Sequence, residues 1–399
     1  MLPRWPAAGV ARALGVSLIV AGAVAGAGSA AAPAAAVPVT AAPAAAAANC
    51  QSWSGVQPPS PGADSNQLNG VAVQSPCNAW AVGSFDNGTG SQTLTEHWNG
   101  AAWKVVPSPN PGDNDRVLYG VRIVSPTNVW AVGSYAVGGA GKTLILHWDG
   151  HTWHQVTSPS PGSSNLTAVR AVSASDVWAA GFFFNSSGLA KTLILHWNGH
   201  TWAKVASPSP GAQSVLDGVA ATSAGNAWAV GTVLNVSSNQ TLILHWNGHR
   251  WSRVKSPNLN PKDSFLDSVG ASSASNAWAV GGTFKGTNKT LILHWNGTAW
   301  RTVTSPNRGG TMGRDGLNSV TAISASNAWA VGSYDNGGAP SHALLLHWNG
   351  KTWQTVTGPP VGTNNELFAV SASSASNVWA VGDFTANVGA FRSFAVHCC

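Results

Sequence analysis

The amino-acid sequence predicts an all-β fold, a seven-bladed β-propeller with four antiparallel strands in each blade. Three observations predict it: a repeat of about 50 residues that occurs seven times, four strand-like runs in each repeat, and chain ends that complement each other. Only 9% of the residues are charged and Glu occurs twice. Helical bundles and coiled coils are excluded because they need abundant Glu, Lys and Leu.

A W-A-V-G-like segment marks each repeat. Its Trp residues stand at positions 80, 130, 178, 228, 278, 329 and 379. Around them, the runs L-x-x-V, W-A-V-G, L-I-L-H-W and x-x-W-x-x-V are rich in Val, Ile, Leu and Trp and are separated by Asn, Gly, Ser and Pro. This pattern is typical of short strands joined by turns. Seven such four-stranded units cover one another's faces when they close into a ring.

The two chain ends supply complementary parts of one repeat. The last unit stops at Cys399 without its fourth strand, and residues 50–56 carry the pattern of that strand. We therefore expect the N-terminal strand to complete the seventh blade. A disulfide from Cys50 to Cys398 or Cys399 would fasten the ring, and the remaining cysteine of that pair would reach Cys77. The four cysteines lack the paired spacing of a zinc site, so no metal is expected.

The N-terminal region predicts export. Arg4 and Arg12 precede an apolar stretch followed by small residues, a pattern typical of a secretory signal peptide, here over 1–30. Residues 31–48 form an Ala/Pro-rich leader, and 49–399 form the propeller. We expect a secreted, extracellular protein without a membrane anchor, because no later segment is apolar enough to span a bilayer. Basic residues do not cluster, so no nucleic-acid partner is expected.

One end of the predicted propeller is constant and the other varies. The first-strand Leu precedes the W-A-V-G Trp by 12 residues in all seven units, and the H-W His precedes the next outer Trp by 6 in the six complete units. The other two connections vary, from 16 to 18 and from 13 to 17 residues. In an antiparallel blade the two variable connections share one end, and variable loops on a rigid scaffold usually carry recognition.

Aromatic, Asp and Asn side chains on these loops are the candidate ligand-binding residues. Five units carry an aromatic residue two positions after the W-A-V-G glycine: Phe85, Tyr135, Phe183, Tyr334 and Phe384. Neighbouring polar candidates are Asp86, Asn87, Asn185, Asp335 and Asn336. A sugar stacks its C–H faces on rings and uses its hydroxyls for hydrogen bonds, so this set suits carbohydrate. The alternative is that the aromatic residues fill space between blades, because strand parity places them on the side of the small Ala79 and Ala81.

Two features that could suggest metal binding or catalysis are interpreted as structural. Seven His residues share one register position in separate blades, so each is expected to fix a turn or a neighbouring strand by a hydrogen bond. They are His97, His147, His196, His245, His294, His347 and His397. Glu96 replaces the Leu or Val that precedes this His in other units, and it is expected at a partly exposed blade edge.

Signatures of catalysis are scarce. Glycosidases generally need two carboxylates across a cleft, yet Glu is limited to Glu96 and Glu366. No G-x-S-x-G, P-loop or HExxH motif occurs. We expect a protein that is not an enzyme and needs no cofactor. A glycan-active hydrolase or lyase that uses loop carboxylates such as Asp86 or Asp335 is the alternative.

The seven units resemble the tandem propellers of secreted actinobacterial proteins and, distantly, the tectonin-type lectins, which use Trp-rich V-W-A-V-G-like repeats. Over residues 50–399 the chain resembles the lectin-like propeller subunit of Streptomyces umbrella toxin particles. That resemblance implies a subunit that recognises target-cell surfaces within a secreted antibacterial toxin complex. No sugar-binding motif carries over residue by residue. The leading hypothesis is a lectin-like module that binds cell-surface glycan, and the alternative is a protein-interaction scaffold in an extracellular assembly.

Overall fold

The computed structural model describes residues 52–399 except 236–237, 258–262, 285–286, 339, 388–389 and 399. This part of the chain forms 28 β-strands in seven four-stranded antiparallel sheets, which confirms the predicted fold class. Among these residues there is no helix that is long and apolar enough to cross a membrane. The signal peptide and the leader lie outside the described residues and stay predictions.

The strands are numbered in chain order. Blade one contains β2 (Ser65–Ser75), β3 (Asn78–Asp86), β4 (Ser91–Trp98) and β5 (Trp103–Val105). Blade two contains β6 (Asn114–Ser125), β7 (Asn128–Val137), β8 (Ala140–Trp148) and β9 (Trp153–Gln155). Blade three contains β10 (Ser163–Ser173), β11 (Asp176–Phe184), β12 (Ala190–Trp197) and β13 (Trp202–Val205). Blade four contains β14 (Gln213–Ser223), β15 (Asn226–Leu234), β16 (Gln240–Trp246) and β17 (Trp251–Arg253).

The remaining three blades follow the same order. Blade five contains β18 (Ser264–Ser273), β19 (Asn276–Phe284), β20 (Asn288–Trp295) and β21 (Trp300–Val303). Blade six contains β22 (Asp315–Ser324), β23 (Asn327–Tyr334), β24 (His342–Trp348) and β25 (Trp353–Val356). Blade seven contains β26 (Thr363–Ser374), β27 (Asn377–Asn387), β28 (Ala390–Cys398) and, from the other end of the chain, β1 (Ser54–Val56).

The first strand of each blade lies at the centre of the ring. The strands β2, β6, β10, β14, β18, β22 and β26 contact one another in sequence around a central channel. Each of these strands has a bulge after its Leu, for example between Leu68 and Gly70. Opposite this bulge stands the W-A-V-G glycine Gly83, where a Cβ atom would lie 1.9 Å from the Gln67 carbonyl oxygen. The close approach explains why glycine recurs there in all seven units.

Indole rings pack across the junctions between blades. The ring centroid of Trp80 in β3 lies 4.9 Å from that of Trp148 and 5.1 Å from that of Trp153 in the next blade. The same arrangement, here called the Trp triad, is centred at six junctions on Trp80, Trp130, Trp178, Trp228, Trp278 and Trp379. Every W-A-V-G Trp is at most 2% exposed. Burial of about 200 Å² by each ring is worth about 5 kcal/mol before entropy costs, so the triads contribute a large share of the packing energy.

The seven repeat His side chains have the predicted structural role. Their Nε2 atoms lie 2.8–3.3 Å from Oδ1 of the Asn or Asp that begins the second strand. Each imidazole also lies with its ring centroid 4.1–4.7 Å from that of its W-A-V-G Trp. Each His therefore fixes the turn between the first two strands of its blade. Within the described chain, no cluster of three His, Cys, Asp or Glu side chains is placed to hold a metal ion.

The N-terminal strand closes the ring, as predicted. β1 pairs antiparallel with β28, with Ser54 opposite His397. The ring of Trp53, just before β1, lies with its centroid 5.1 Å from that of Trp329 in blade six. Blade seven is therefore built from both ends of the described chain.

The cysteines follow the prediction only in part. Cys398 is buried and disulfide-bonded, at the position that Trp98 occupies in blade one. Cys50 and Cys399 lie outside the described residues, so which of them pairs with Cys398 stays a prediction. Cys77 is free and exposed, so the expected second bridge through it is not formed. Its sulfur instead faces Gly100 in the neighbouring turn of its own blade, where a Cβ atom would lie 2.9 Å away.

Candidate functional site

The end of the propeller that carries the loops between second and third strands and the connections between blades is here called the variable-loop face. Among the described residues, six large apolar side chains are exposed, and five of them lie in these loops or at the adjoining strand ends. These five are Val137, Leu189, Phe284, Met312 and Phe391. Exposed apolar groups concentrated at one end are typical of an interaction surface.

The opposite end is standardised by its turns. In the turn between β4 and β5, Asn99 Oδ1 accepts hydrogen bonds from the backbone N–H groups of Ala101 and Ala102. Gly100 has a φ of 94°, which L-residues rarely adopt. The same Asn-Gly or Asp-Gly turn recurs in the other complete repeats, so the constant spacing there reflects turn geometry.

The five candidate aromatic residues all pack between blades. Each is half-buried against the hydrophobic cluster at its junction: Phe85, Tyr135, Phe183, Tyr334 and Phe384. The alternative expectation of a packing role is therefore confirmed for all five. Part of each ring stays exposed, so a contact with a ligand remains a prediction. The five residues lie in five separate blades.

The neighbouring Asp and Asn candidates shape their own loops. Asp86 Oδ1 accepts the Gly88 N–H at 2.8 Å, and Asn87 Oδ1 accepts the Thr89 N–H at 3.1 Å. Asn185 Oδ1 accepts the N–H groups of Ser187 and Leu189, and Asp335 Oδ1 accepts the Gly337 N–H at 2.8 Å. Asn336 is exposed at its loop tip. These local hydrogen bonds hold turns and leave one carboxylate or amide edge of each side chain for other contacts.

A Thr–Ser hydrogen bond between the third strand and the segment after the fourth strand recurs in blades one to five. We call it the Thr–Ser lock, and its Oγ1 to Oγ distances are 2.5–2.9 Å. The pairs are Thr93–Ser108, Thr143–Ser158, Thr192–Ser207, Thr241–Ser256 and Thr290–Ser305. In blade six the corresponding residues are Ala343 and Gly358, so neither hydroxyl is present. The third strand and the following segment of blade six therefore lack this tie.

A groove of about 420 Å³ lies beside Ala343 and Gly358. Blade seven also lacks the lock, since Ser393 and Pro58 hold the two positions there. The lining of the groove comes from three blades: Arg308 after β21, Tyr334 and His342 in blade six, and Phe394 and Val396 in blade seven. We call it the six–seven groove. Gly358 and the two prolines that follow it form one wall. The volume falls within the range of small-ligand pockets.

The polar groups of the groove are arranged around one aromatic ring. The guanidinium carbon of Arg308 lies 5.5 Å from the centroid of Tyr334, and the His342 ring lies 5.2 Å from it. Asn365 accepts the Ala343 N–H through Oδ1 at 2.6 Å and donates through Nδ2 to the Val361 carbonyl at 2.7 Å, so it holds the groove in shape. A tyrosine face, an arginine and an imidazole in one concave site can stack on and hydrogen-bond a polar ring.

Of the predicted ligand residues, Tyr334 is the one that lines this groove. Sequence reasoning missed Arg308, His342 and Asn365. The signal that was available is the loss of both lock residues in one repeat, at Ala343 and Gly358, because five other repeats keep Thr and Ser there.

A second set of ionisable groups that the sequence did not single out lines the central channel. Asp217 and Asp267 take equivalent positions after the first-strand Leu of blades four and five, and both line a cavity of about 190 Å³. Burial raises the pKa of Asp217 to about 8 and raises that of Asp267 well above its usual value. Outside this cavity, on β27, burial raises the pKa of Asp383 to about 7, and its Oδ2 accepts a hydrogen bond from Gln67 Nε2 at 2.8 Å.

The prediction that Glu96 lies at a partly exposed edge is wrong. Its side chain is fully buried, and neither carboxylate oxygen has a hydrogen-bond partner among the described residues. Leu146, its equivalent in blade two, packs in the cluster between blades one and two, so Glu96 lies at the junction of blades seven and one. Burial raises its pKa well above the usual 4.5. The residue at this position of the third strand is buried in every blade.

The fold and the loops define a seven-bladed propeller whose two ends differ, one with constant turns and one with variable loops. Its fold is similar to that of YCF48 bound to D1 peptide, with a TM-score of 0.54 and 16% identity over 87% of this chain and 96% of that one. It is also similar to a polysaccharide lyase, an ulvan lyase bound to a GlcA–Rha3S saccharide, with a TM-score of 0.50 and 10% identity over 80% of this chain and 90% of that one.

A six-bladed fungal lectin from Aleuria aurantia, described with a fucose recognition mode, matches with a TM-score of 0.47 and 16% identity over 72% of this chain and 95% of that one. No protein-family model matches the sequence. No curated protein matches it either. The structural similarities therefore establish a propeller fold, which binding proteins and enzymes share.

Proposed function

We propose that this protein is a secreted carbohydrate-binding propeller that recognises cell-surface glycan through its variable-loop face. The observation that carries the proposal is the six–seven groove, where loss of the Thr–Ser lock opens a concave site beside the Tyr334 ring. Arg308 and His342 supply polar contacts there. Apolar side chains exposed around the same face would extend the contact to a larger surface.

The proposal is of a binding protein rather than an enzyme. The loop carboxylates of Asp86 and Asp335 are engaged in turns, which suits a structural role. A glycan-active hydrolase or lyase is the competing proposal, and it requires turnover that is lost in the D86N or D335N variant. The similarity of the fold to that of an ulvan lyase is consistent with this competing proposal.

Glycan-array binding of the secreted protein tests the proposal, with affinities then measured for the sugars retained. We expect Tyr334→Ala to weaken binding about tenfold, since loss of one stacking contact is worth about 1.4 kcal/mol. Phe85→Ala is the matched control, because Phe85 holds the equivalent position in blade one and does not line the groove. An array that retains no glycan, or equal losses in both variants, would contradict the proposal.

A protein-interaction scaffold is the second candidate function. It is favoured by Met312, which is 75% exposed next to the loop that follows Tyr334, and by the other exposed apolar residues of the variable-loop face. The likeness to a propeller bound to a peptide is consistent with it. The subunit of a secreted toxin complex is the more specific form of either proposal. Co-purification from culture medium tests it, and a lone monomer there would count against a complex.

A further inference from the structure

The connection between blades five and six brings a charged side chain to the six–seven groove. In four other connections a proline precedes the loop glycine: Pro61, Pro111, Pro161 and Pro210. Arg308 takes this position before Gly309. The connection is also the longest of the seven, with 17 positions from Trp300 to Leu317. The repeat pattern is therefore broken at the residue that lines the groove.

A buried carboxylate fixes the backbone at Arg308. Asp315 is 1% exposed, and its Oδ1 accepts the N–H groups of Arg308 at 2.6 Å and Gly309 at 3.0 Å. Its Oδ2 pairs with Lys289 Nζ at 3.0 Å. Within the described chain, no hydrogen bond or ion pair joins the Arg308 guanidinium to another residue. Asp315 thus positions the Arg308 backbone, while the charge of the side chain stays available to a ligand.

The two rings beside Arg308 have polar atoms without protein partners. His342 on β24 lies directly opposite Tyr334 on β23. Neither the Tyr334 hydroxyl nor the His342 ring nitrogens form a hydrogen bond to a described residue. In blade five the residue equivalent to His342 is Lys289, which reaches the next connection and pairs with Asp315. The shorter imidazole makes no such tie and lies beside Tyr334 instead.

The charge of the groove lining is positive. Among the described residues that line it, Arg308 carries a permanent charge and none is Asp or Glu. A guanidinium presents its N–H groups in a planar fork that matches the two oxygens of a carboxylate. A phenol and an imidazole can hydrogen-bond the hydroxyl groups of the same ligand. This combination suits a sugar ring that carries a carboxylate better than a neutral sugar.

We propose that the six–seven groove selects acidic glycans, with Arg308 binding the carboxylate of a uronic or sialic acid residue whose ring lies beside Tyr334 and His342. The inference rests on the proposed glycan recognition and adds the class of sugar. It also gives Arg308 a defined part in specificity, because a neutral sugar of the same shape would leave its guanidinium without a counter-charge.

An array in which each uronic or sialic acid glycan is printed beside its carboxyl-reduced counterpart tests the proposal. We expect the secreted protein to bind the acidic member of a pair about tenfold more tightly at low salt. The preference should shrink in 0.5 M sodium chloride, since salt screens exposed charges. Equal binding of both members would overturn the acidic class and leave the proposed function standing. An array that retains no glycan would overturn both.

Three variants locate the preference. Arg308→Gln should bring the affinity ratio of acidic to reduced glycan close to one, whereas Tyr334→Ala should weaken both members alike. Arg314→Gln is the matched control, because Arg314 is exposed in the same connection and does not line the groove, and it should keep the preference. Arg308 is exposed as well, so neither arginine change removes a buried side chain. An unchanged ratio in Arg308→Gln, or an equal loss in Arg314→Gln, would overturn the assignment to Arg308.

Discussion

The junction between blades six and seven differs from the other six junctions of the ring. Elsewhere, a W-A-V-G Trp packs against two indoles of the next blade. At the six–seven junction, Trp329 meets Trp53, just before β1, and the second indole position is taken by the disulfide-bonded Cys398. Blade six also lacks the Thr–Ser lock. At this junction a disulfide-bonded cysteine stands where the other blades have an indole, and an open groove lies beside the position of the missing Thr–Ser hydrogen bond.

The comparison shows how a repeat protein builds one distinct site from equivalent parts. Six junctions keep the same contacts because each repeat packs only on its neighbours. The seventh has to join the two ends of the chain, so its sequence is released from the repeat pattern. The groove opens at that same place, which links ring closure to the proposed recognition site.

The largest expected effect comes from removing a central indole. Trp228→Ala deletes the centre of a complete Trp triad and should lower the free energy of unfolding by about 3–5 kcal/mol. Trp329→Ala should cost about 0.5–1.5 kcal/mol less, because one aromatic partner is absent there. Denaturant titration of both variants measures the difference. Equal losses would mean that the six–seven junction is packed as tightly as the others.

A smaller effect is expected at the junction of blades seven and one. Glu96→Leu restores the repeat residue and should stabilise the fold by about 1–3 kcal/mol at pH 8, since a buried carboxyl without partners is removed. The folded-state pKa of Glu96 is raised above 4.5, so its unfolded form loses the proton first as pH rises. The native protein therefore loses stability relative to the variant above about pH 4.5, and the gain shrinks below it.

Glu96→Gln serves as the control for charge alone. It should flatten the pH dependence as Glu96→Leu does, while leaving a buried polar group and a smaller overall gain. Stability curves from pH 4 to pH 8 separate the two contributions. Parallel curves for the native protein and both variants would show that Glu96 does not titrate on folding.

The smallest expected effect comes from rebuilding the lock. The double variant Ala343→Thr with Gly358→Ser should add about 0.5–1.5 kcal/mol through one new hydrogen bond and should narrow the six–seven groove, which both residues line. Glycan binding should fall with it. Thr143→Ala with Ser158→Gly, which opens the same position in blade two, away from the groove, should cost a similar amount and leave glycan binding unchanged. If the rebuilt lock leaves glycan affinity intact, the groove is not the recognition site.

Much of the architecture could be predicted because its causes are local and recur. The spacing of Trp80 and its equivalents defined seven units, and the pattern of residues 50–56 identified the strand that pairs with β28. A structural role could be predicted for the seven repeat His residues, because side chains in seven separate blades cannot form one metal site. The aromatic candidates such as Phe85 were ambiguous, since strand parity predicts packing and loop position predicts recognition, and each residue has both.

Other residues could not be placed from the pattern. The charge of Glu96 suggests an exposed position when only the sequence is considered. In the fold its side chain lies on the face of β4 that packs against blade seven, so it is buried. Arg122 lies at an ordinary first-strand position, and its burial, with Nη2 donating to the Ala171 carbonyl of the next blade, appears only when the neighbouring blades surround it. Ala343 and Gly358 in place of Thr and Ser can be recognised in the sequence. The groove beside them cannot, because its lining comes from three blades.

The sequence by itself determined the blade number, the strand order and the end that carries variable loops, because a repeated pattern of apolar runs and turns specifies each unit locally. Only the tertiary structure decided which loops meet in a groove and which carboxyl is buried. Those outcomes depend on contacts between residues of different blades, and a single repeat contains no information about its neighbours.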